Sequence, residues 1–269
     1  MSVKPNDGTP VAVVTGGGGG IGRACCVRFA AAGWHVVAAD IDLAAATESA
    51  RLCNGSANRL DLASLDDIRQ FASSLADEYG AVAALVNSAA WFHDAKPAED
   101  LTAEDWDRTF AVCVRGPYFL SVALAMEMAR HGGGSVVSLA STAGVRSAPL
   151  HAYAPAKAAL INMTECLAAE FGMSGVRFNA VTPSLTETPA LRDSIARGER
   201  FVPDVQRHTA LGRFVSPAEV AEAVYFLASE ESSAMTGVNL PVDAGSLQTA
   251  SWHMFGGLRQ TTIPTGDSR

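Results

Sequence analysis

The stretch VAVVTGGGGGIGRA, residues 11–24, decides the fold of this chain. Its first four residues are apolar and mostly β-branched, which is typical of a buried parallel strand. Behind the glycines, small and apolar side chains recur at helical spacing as far as Ala31. A strand, a glycine turn and a helix open a βαβ unit, and the free N–H groups at such a helix start bind phosphate.

The glycine run, Gly16–Gly20, has two interpretations. A G-x-G-x-x-G match adds little here, because any run of glycines satisfies it, so the flanking strand and helix carry the prediction. Glycines have no Cβ atoms and therefore let the backbone come close to a pyrophosphate. The alternative is a flexible linker. We disfavour it because linkers do not lie between two apolar, periodic segments.

Asp40 ends the second strand-like run, WHVVAAD, residues 34–40. It follows Gly22 at the spacing expected of the acid that hydrogen-bonds the adenosine ribose hydroxyls. A carboxylate at this point repels the additional phosphate of NADP, and neither Ile41 nor any residue of the glycine run is basic. The sequence therefore predicts NAD as the cofactor. Asp40 also has the right place to cap the next helix, and the two roles are compatible.

The composition argues against several classes of protein. The chain has 269 residues and a formal net charge of −8, which disfavours nucleic acid and anionic membranes as partners. The first ten residues lack an apolar core, so we expect no signal peptide, and the most apolar stretch, residues 117–129, is too short to span a bilayer. The five cysteines show no metal-ligand spacing. We expect a cytoplasmic protein with reduced thiols and no metal.

Strand-like and helix-like segments alternate as far as residue 245. The strand-like runs lie at residues 11–14, 34–39, 82–86, 135–139, 176–181 and 238–242. This alternation predicts an α/β fold of the Rossmann type, a doubly wound parallel β-sheet with helices on both faces. Because neither an internal repeat nor a linker interrupts the pattern, we expect residues 1–269 to form a single domain.

Two segments break this alternation. Residues 183–214 are long and polar, and we expect them to form a substrate loop beyond the carboxyl ends of the strands. The tail after the last strand, residues 246–259, carries three large apolar side chains and is expected near the active site. Residues 1–9 and roughly 260–269 are expected to be flexible.

Three polar residues carry the predicted chemistry. Tyr153 and Lys157 are four apart and share one face of a helix. Pro155 places the start of that helix near His151, because proline is tolerated only in a first turn. Ser141 ends the run SVVSLAS, at the sheet edge where the cofactor would lie. An ordinary surface Tyr–Lys pair is the alternative, which the nucleotide-type fold and the serine disfavour.

These residues form an acid–base set. A tyrosine has an unperturbed pKa near 10, and an adjacent ammonium and a cationic nicotinamide both favour its phenolate. Bringing that pKa to about 7 needs roughly 4 kcal/mol, which a desolvated cation within a few ångströms supplies. The phenolate of Tyr153 would take the proton of a substrate hydroxyl while hydride leaves the same carbon for NAD⁺. Ser141 would hold the substrate oxygen by a hydrogen bond.

From Val11 to Gly245 the chain resembles the short-chain dehydrogenases/reductases of the shorter, single-domain branch. The motifs that carry the resemblance are T-G-x-x-x-G-I-G at Thr15–Gly22, an acid–apolar pair at Asp61–Leu62, NSAA at Asn87–Ala90, the Ser141, Tyr153 and Lys157 set, and TPSLTET at Thr182–Thr188. The resemblance implies a series of cofactor contacts, namely Gly16, Gly19, Gly20, Ile21, Gly22, Asp40, Ile41, Asp61, Leu62, Asn87, Ala89, Tyr153, Lys157, Pro183, Leu185 and Thr188.

The resemblance also implies particular roles for some of these residues. Asp61 and Leu62 would contact adenine, whereas Asn87 and Ala89 would steady the central strand and the cofactor. Lys157 would also hold the nicotinamide ribose, and Thr188 would hold the carboxamide. A homotetramer is implied as well, with the helices around 105–130 and 153–171 at its interfaces.

Four positions depart from the family pattern. Cys113 stands where the family usually has an asparagine that shapes a helix kink, whose carbonyl holds a water of the proton relay. This departure puts the relay in doubt but not the hydride step. Ala90 and Ser184 replace glycines and would narrow the space near the nicotinamide, and Ser184 could instead donate to the substrate. Ala244 also replaces a glycine, which we expect to matter little.

Residues that follow the strand ends are expected to line the substrate pocket. The predicted substrate contacts are Ser141, His151, Tyr153 and Ser184, and the further lining candidates are Trp91, Phe92, His93, Ala143 and Leu185. The aromatic pair favours a ring or an apolar surface, and we expect His93 at the surface or capping a helix. A secondary alcohol and its ketone are implied, and a sugar, a cyclic alcohol and a hydroxy acid stay open.

Two other functions stay open on the sequence. A catalytically weakened member of the family could bind nucleotide and act as a regulatory or interaction subunit, which only Cys113 and the lost glycines support. An NADPH-dependent 3-ketoacyl reductase is a lesser alternative, and Asp40 speaks against it.

Overall fold

The computed structural model describes residues 8–80, 82–93, 95–197, 205–249 and 251–258. Within these ranges seven parallel strands form one sheet in the order β3-β2-β1-β4-β5-β6-β7. The strands are β1 (Val11–Thr15), β2 (His35–Asp40), β3 (Ser56–Arg59), β4 (Ala84–Asn87), β5 (Gly134–Leu139), β6 (Val176–Pro183) and β7 (Asn239–Val242). This architecture confirms the predicted fold class.

Ten α-helices are present in the described ranges. They are α1 (Gly20–Ala31), α2 (Leu43–Cys53), α3 (Leu65–Tyr79), α4 (Ala103–Phe110), α5 (Gly116–Arg130), α6 (Tyr153–Phe171), α7 (Pro189–Ala196), α8 (Val205–His208), α9 (Pro217–Ala228) and α10 (Ser246–Thr249). Helix α6 begins two residues after the predicted start at His151, and Ser216 caps α9 by accepting the N–H of Glu219.

Strand β1 lies at the point where the direction of strand order reverses. All five of its residues are buried, and Val13 is in register with Val37 of β2 on one side and Leu85 of β4 on the other. Strand β2, which follows β1 in the sequence, lies on one side of it, and β4 lies on the other. A crevice therefore opens at the carboxyl end of β1. Ligands of open α/β sheets bind in such a crevice.

Strand β3 is the element that the sequence analysis missed. Its residues, SANR, carry neither β-branched nor aromatic side chains, and they pair with β2 at the edge of the sheet. An edge strand needs only one partner and buries little, so its sequence shows little of the apolar pattern that marks the central strands.

Apolar helix faces cover both sides of the sheet, because a parallel sheet must be buried on both faces. On one face α3, α5 and α6 supply Phe71, Leu124 and Leu167 to the core. On the other face α1 and α9 supply Phe29 and Val224. All described strands therefore pack into two cores separated by one sheet, and a single domain over residues 1–269 stays a prediction.

Helices α4 and α5 join without a break through a π-helical turn, Ala111–Arg115. The resulting stretch, Ala103–Arg130, is 28 residues long and, within the described residues, is the one helix whose length and composition would suffice to cross a membrane. From the sequence, residues 117–129 are too short to span a bilayer, but the continuous helix is longer than that stretch. Half of the apolar window is buried within the protein, as in the core helix of a globular fold.

The two irregular segments contain more structure than expected. The predicted loop 183–214 includes α7, which Thr188 caps by accepting the N–H of Leu191 at 3.2 Å. The sequence carried this signal, because a threonine directly before a proline is a common helix start. In the tail, Oγ1 of Thr249 donates to the carbonyl of His208, which ties α10 to α8. The predicted flexible ends lie almost wholly outside the described residues.

Candidate active site

The first turn of α6 holds the Tyr–Lys pair at the carboxyl edge of the sheet. Tyr153 is 5% exposed and Lys157 is 2% exposed, so neither is a surface residue. Nζ of Lys157 lies 5.4 Å from the centroid of the Tyr153 ring and donates to the carbonyl oxygen of Leu139 at 2.5 Å. Burial lowers the pKa of Lys157, and the neighbouring Cys113 partly opposes that shift. The pair therefore places a desolvated cation beside a phenol.

Ser141 follows the end of β5 and faces the same edge. Its Oγ accepts the N–H of Ala143 at 3.2 Å and so caps the short 3₁₀ turn Thr142–Gly144. This turn packs directly on α6, since a Cβ on Gly144 would lie 2.7 Å from the carbonyl carbon of Lys157. The close packing brings the loop of Ser141 against the helix that carries Tyr153, as the sequence predicted for these three residues.

The segment after β4, Trp91–His93, contacts the start of α6. The ring of Phe92 stacks on that of Tyr153, with centroids 4.4 Å apart and planes 28° from parallel. The imidazole of His93 is buried, and its Nε2 accepts the backbone N–H of Ala152 at 3.2 Å. We expected His93 either at the surface or capping a helix. The expectation of a surface position is wrong, and His93 instead accepts an N–H group at the start of α6.

Cys113 lies within the π-helical turn and is fully buried against Tyr153 and Ala156. Its thiol lies 3.8 Å from the carbonyl oxygen of Trp91 and is directed toward the segment after β4. An asparagine amide is not needed to form the turn, because the π-helical geometry persists with a thiol at this position. The departure from the family pattern therefore leaves the helix deformation intact.

The glycine turn packs closely on the end of β4 and on the start of α1, and the predicted approach to a pyrophosphate stays a prediction. Gly16 has φ +65°, and a Cβ there would lie 2.7 Å from the Cα of Ala89. A Cβ on Gly22 would lie 2.0 Å from the carbonyl oxygen of Gly16, so α1 packs tightly on the turn. Gly20 faces the methyl group of Thr188, which a Cβ would approach to 3.3 Å. The turn thus lies next to Thr188, in the segment predicted to be a substrate loop.

A cavity of about 460 Å³ opens at the carboxyl ends of β1, β2 and β4. Its lining includes Gly16, Asp40, Ile41, Asp61, Leu62 and Ala89, all predicted cofactor contacts. A glycine cradle at a helix start, an acid at the end of β2 and an apolar slot beyond it are the parts that a dinucleotide requires. The residues present therefore fit a nicotinamide dinucleotide.

Asp40 is held in place at the wall of this cavity. One carboxylate oxygen accepts the N–H of Gly18 at 2.9 Å, and the other accepts the N–H of Asp42 at 3.1 Å. The helix cap belongs to Asp42, which accepts from two N–H groups of α2. The role of helix cap, which the sequence left open for Asp40, is therefore filled by Asp42.

Two arginines in the cavity wall were missed by the sequence analysis, namely Arg108 and Arg115. Arg115 donates to the carbonyl of Ala63 at 2.7 Å, and the guanidinium of Arg108 lies 5.2 Å from the ring centroid of Trp91. A search for basic residues next to Asp40 could not find them, because they come from α4 and the π-helical turn. Only the fold brings them to this cavity.

Asn87 joins three elements below the site. Its Nδ2 donates to Oγ of Ser121 on α5 at 2.9 Å and to Oγ of Ser138 on β5 at 3.3 Å. Its Oδ1 is buried with no partner among the described residues. The hydroxyl of Thr15 accepts the N–H groups of Ser88 and Ala89 next to it. These bonds hold the end of β4 against both neighbouring strands.

Several other predicted residues do not line this cavity. Ser184 donates its hydroxyl proton to the carbonyl oxygen of Asp243 at 3.0 Å, so it is not oriented as a donor to substrate. His151 and Leu185 are exposed, and Pro183 is buried at the end of β6. The side chains of Trp252, Met254 and Phe255 in the tail are exposed rather than packed over the site.

The sequence matches a family profile described as enoyl-(acyl carrier protein) reductase over residues 16–246. The 4-formylbenzenesulfonate dehydrogenase of Comamonas testosteroni is 38% identical over 247 residues, which cover 87% of this chain and 96% of that protein. The galactitol 2-dehydrogenase of Rhizobium johnstonii is 38% identical over 244 residues, which cover 87% of this chain and 93% of that protein.

Two solved structures are similar over nearly the whole chain. One is described as a ribose-5-phosphate isomerase from Brucella melitensis 16M; it is 43% identical, has a TM-score of 0.91 and matches 96% of this chain and 100% of its own. The other is described as a short chain dehydrogenase/reductase family protein; it is 34% identical, has a TM-score of 0.79 and matches 91% of this chain and 98% of its own.

Proposed function

This chain belongs to the short-chain dehydrogenase/reductase family, and on that premise we propose that it is an NAD-dependent dehydrogenase that interconverts a secondary alcohol and its ketone. The observation that carries the proposal is the buried Tyr153–Lys157 pair, with the loop of Ser141 packed against its helix. A site that had lost its reaction would not need to bury an ammonium beside a phenol, since that burial costs free energy.

The proposed chemistry assigns one task to each residue. Tyr153 takes the proton of the substrate hydroxyl at its Oη and returns it in the reverse direction. The ammonium of Lys157 favours the phenolate through a low-dielectric gap. Ser141 donates a hydrogen bond to the substrate oxygen and orients the carbon. A bound nicotinamide supplies the hydride acceptor in one direction and the hydride donor in the other.

We propose NAD rather than NADP because of Asp40. Its carboxylate is fixed by two backbone N–H groups at the wall of the cavity, so it cannot easily turn away from an additional phosphate. A carboxylate and a phosphate held together in a partly buried cavity repel each other strongly. Arg108 and Arg115 supply positive charge in the same cavity and oppose this preference.

The proposed substrates are sugars and polyols. The galactitol enzyme supports this class, and 4-formylbenzenesulfonate adds an aromatic compound to be tested. Phe92 is 49% exposed where it stacks on Tyr153, so it offers an apolar surface next to the phenol. A ring or a carbon chain that lies on this surface would bring its hydroxyl toward Tyr153.

We further propose a cytoplasmic homotetramer. All five cysteines lie among the described residues and are free, which suits a reducing compartment. Helix α5 exposes Tyr118, Phe119 and Met126 on the stretch that the family resemblance places at an interface. Exposed apolar side chains of this size on one helix favour association with another subunit. Size-exclusion chromatography with light scattering measures the state directly.

The experiment that tests the function is a turnover assay by NADH absorbance. Purified protein is mixed with NAD⁺ or NADP⁺ and with galactitol, a cyclic alcohol or a hydroxy acid, and Tyr153→Phe serves as the control. We expect turnover of a polyol with NAD⁺ and a loss of about 100-fold or more in Tyr153→Phe, because general acid–base catalysis contributes that much.

Other outcomes of this assay select other functions. Binding of NADH without turnover of any alcohol or ketone would favour a regulatory or interaction subunit. Preference for NADPH with a 3-ketoacyl substrate would favour a ketoacyl reductase. Conversion of ribose 5-phosphate without any nicotinamide would favour the isomerase activity named for the Brucella structure, a reaction for which the glycine cradle and Asp40 have no evident use.

A further inference from the structure

Helix α6 lacks a cap of its own at the turn that carries Tyr153. Its N-cap residue is Ala152, which has no side-chain acceptor. The residue directly before each of α2, α3, α4 and α9 caps its helix with a side-chain oxygen; these residues are Asp42, Ser64, Thr102 and Ser216. The N–H groups of a helix start need acceptors from elsewhere when the cap residue offers none. For Ala152 that acceptor is His93, 59 residues away in the sequence.

Water cannot replace this acceptor. Ala152 is fully buried and His93 is 4% exposed, so the N–H of Ala152 would lose its partner if the imidazole were removed. An unpaired buried donor is costly, and the backbone relieves that cost by moving. Because Ala152 directly precedes Tyr153, any such movement displaces the phenol.

The rest of the segment after β4 supports the same turn. Phe92 stacks on the ring of Tyr153, and the carbonyl oxygen of Trp91 faces the thiol of Cys113, which itself packs against Tyr153. Phe92 and His93 therefore contact the catalytic turn directly, and Trp91 reaches it through Cys113. Of these contacts, the bond from Ala152 to His93 is the one that fixes the backbone.

We propose that His93 is a positioning residue for Tyr153: by accepting the N–H of Ala152, its Nε2 fixes the first turn of α6 so that the phenol lies beside the ammonium of Lys157. This inference rests on the proposed role of Tyr153 as the acid–base residue. The bond requires a lone pair on Nε2, which the imidazole offers when its ring proton is on Nδ1. Neither the glycine cradle nor the cavity beyond Asp40 is part of this contact.

The test compares His93→Leu, which removes the acceptor, with His93→Gln, whose side-chain oxygen can restore it. Exposed His131, at the end of α5, provides the control His131→Leu. For the alcohol that the wild type oxidises fastest with NAD⁺, we expect His93→Leu to lower kcat about tenfold or more, because small misplacements of a reacting group have large effects on rate. KM and the Kd for NADH should change by less than about threefold, and His93→Gln should recover most of kcat.

A second readout does not depend on any substrate. The phenolate absorbance of the NAD⁺-saturated protein is titrated, and the Tyr153→Phe curve is subtracted to isolate one of the four tyrosines. In His93→Leu the titration midpoint of Tyr153 should move upward by about one pH unit or more, since a displaced phenol lies farther from the ammonium. In His93→Gln it should stay near the wild-type value.

Two outcomes would overturn the inference, and a comparison with Tyr153→Phe separates its failure from that of the proposed function. Wild-type kcat and titration in His93→Leu would show that the bond does not position the phenol. Equal losses of kcat, NADH affinity and thermal stability in His93→Leu and His93→Gln would show a general packing role. An active His93→Leu together with an inactive Tyr153→Phe would reject this inference alone, whereas an active Tyr153→Phe would reject the proposed function as well.

Discussion

Nζ of Lys157 donates a hydrogen bond to the carbonyl oxygen of Leu139, the last residue of β5, at 2.5 Å. The ammonium is thereby fixed between the sheet edge and the first turns of α6, in a place that water barely reaches. An ammonium has three donors, and this bond uses one of them. The carbonyl offsets part of the cost of burying the charge, and the remaining cost appears as a lowered pKa of Lys157.

The lowered pKa of Lys157 predicts a pH dependence of stability. Because burial is the main cause of the shift, the folded protein holds this proton less tightly than the unfolded chain does. At a pH low enough for both states to be protonated, the folded state carries the full cost of the buried charge. As the pH rises through the lowered pKa toward the ordinary value of 10.5, folded Lys157 deprotonates first and the cost is relieved.

The measurement is the free energy of unfolding of cofactor-free wild type and Lys157→Met in urea, from pH 7 to pH 10. Titrations common to both proteins cancel in the difference. We expect the stability of Lys157→Met relative to wild type to be greatest at neutral pH and to decline steadily toward pH 10. A difference that does not change with pH would mean that the ammonium is not destabilised by burial.

Within the glycine run and its flank, Gly22 and Gly19 should respond differently to a methyl group. A Cβ on Gly22 would meet the carbonyl oxygen of Gly16 at 2.0 Å, and backbone cannot move aside as a side chain does. Overpacking costs about 1–3 kcal/mol even in adaptable cores, so Gly22→Ala should lose about 3 kcal/mol or more of stability. Gly19 has extended backbone, and a Cβ there would have no neighbour within 4 Å, so Gly19→Ala should be tolerated.

Urea unfolding and NADH binding by fluorescence check this pair. If Gly22→Ala bound NADH and unfolded like the wild type, the tight packing of α1 on the glycine turn would be refuted. If Gly19→Ala lost NADH affinity while keeping its stability, the methyl group would have to be in the path of the cofactor itself.

Asp40 should set the preference between the two nicotinamide cofactors. Removing its charge in Asp40→Ala should raise the affinity for NADPH relative to NADH by about tenfold, which corresponds to about 1.4 kcal/mol. Arg115 lies in the same cavity, and Arg115→Ala should shift the ratio in the opposite direction. Equilibrium binding of NADH and NADPH measures both. A wild type that prefers NADPH would contradict the role given to Asp40.

Sequence reasoning placed the residues of the proposed chemistry at one edge of the sheet because local patterns encode their positions. Tyr153 and Lys157 are four apart on a helix, Ser141 ends a strand-like run, and parallel strands bring their carboxyl ends to one edge. Sequence reasoning failed where a contact joins residues that are far apart in the sequence. The bond from Ala152 to His93 joins residues 59 apart, and a lone histidine carries no periodicity that would reveal it.

The other failures have physical causes as well. Strand β3, with the residues SANR, takes its conformation from pairing with β2 rather than from its own side chains. Arg115 lies in the π-helical turn, and it reaches the cavity through the packing of that turn beside the ends of the strands. In both cases the tertiary environment, and not the local sequence, determines the outcome.

Ala244 gives the last prediction, since the sequence suggested that its replacement of a family glycine would matter little. The structure places it at φ +51°, in the left-handed region, and its carbonyl accepts the N–H of Leu211 at 3.0 Å. A residue with a Cβ is disfavoured there by about 1–2 kcal/mol. A glycine would relieve that strain but would lose about 0.5–1 kcal/mol through the greater freedom of the unfolded chain.

Ala244→Gly should therefore stabilise the protein by about 0.5–1 kcal/mol. The matched control is Ala169→Gly, an exposed position inside α6, which should cost about 1 kcal/mol because glycine is a poor helix former. Urea unfolding of the two variants beside the wild type measures both changes. Since the same substitution is predicted to have opposite signs at the two positions, a loss of stability in Ala244→Gly as large as that in Ala169→Gly would show that Ala244 is not strained.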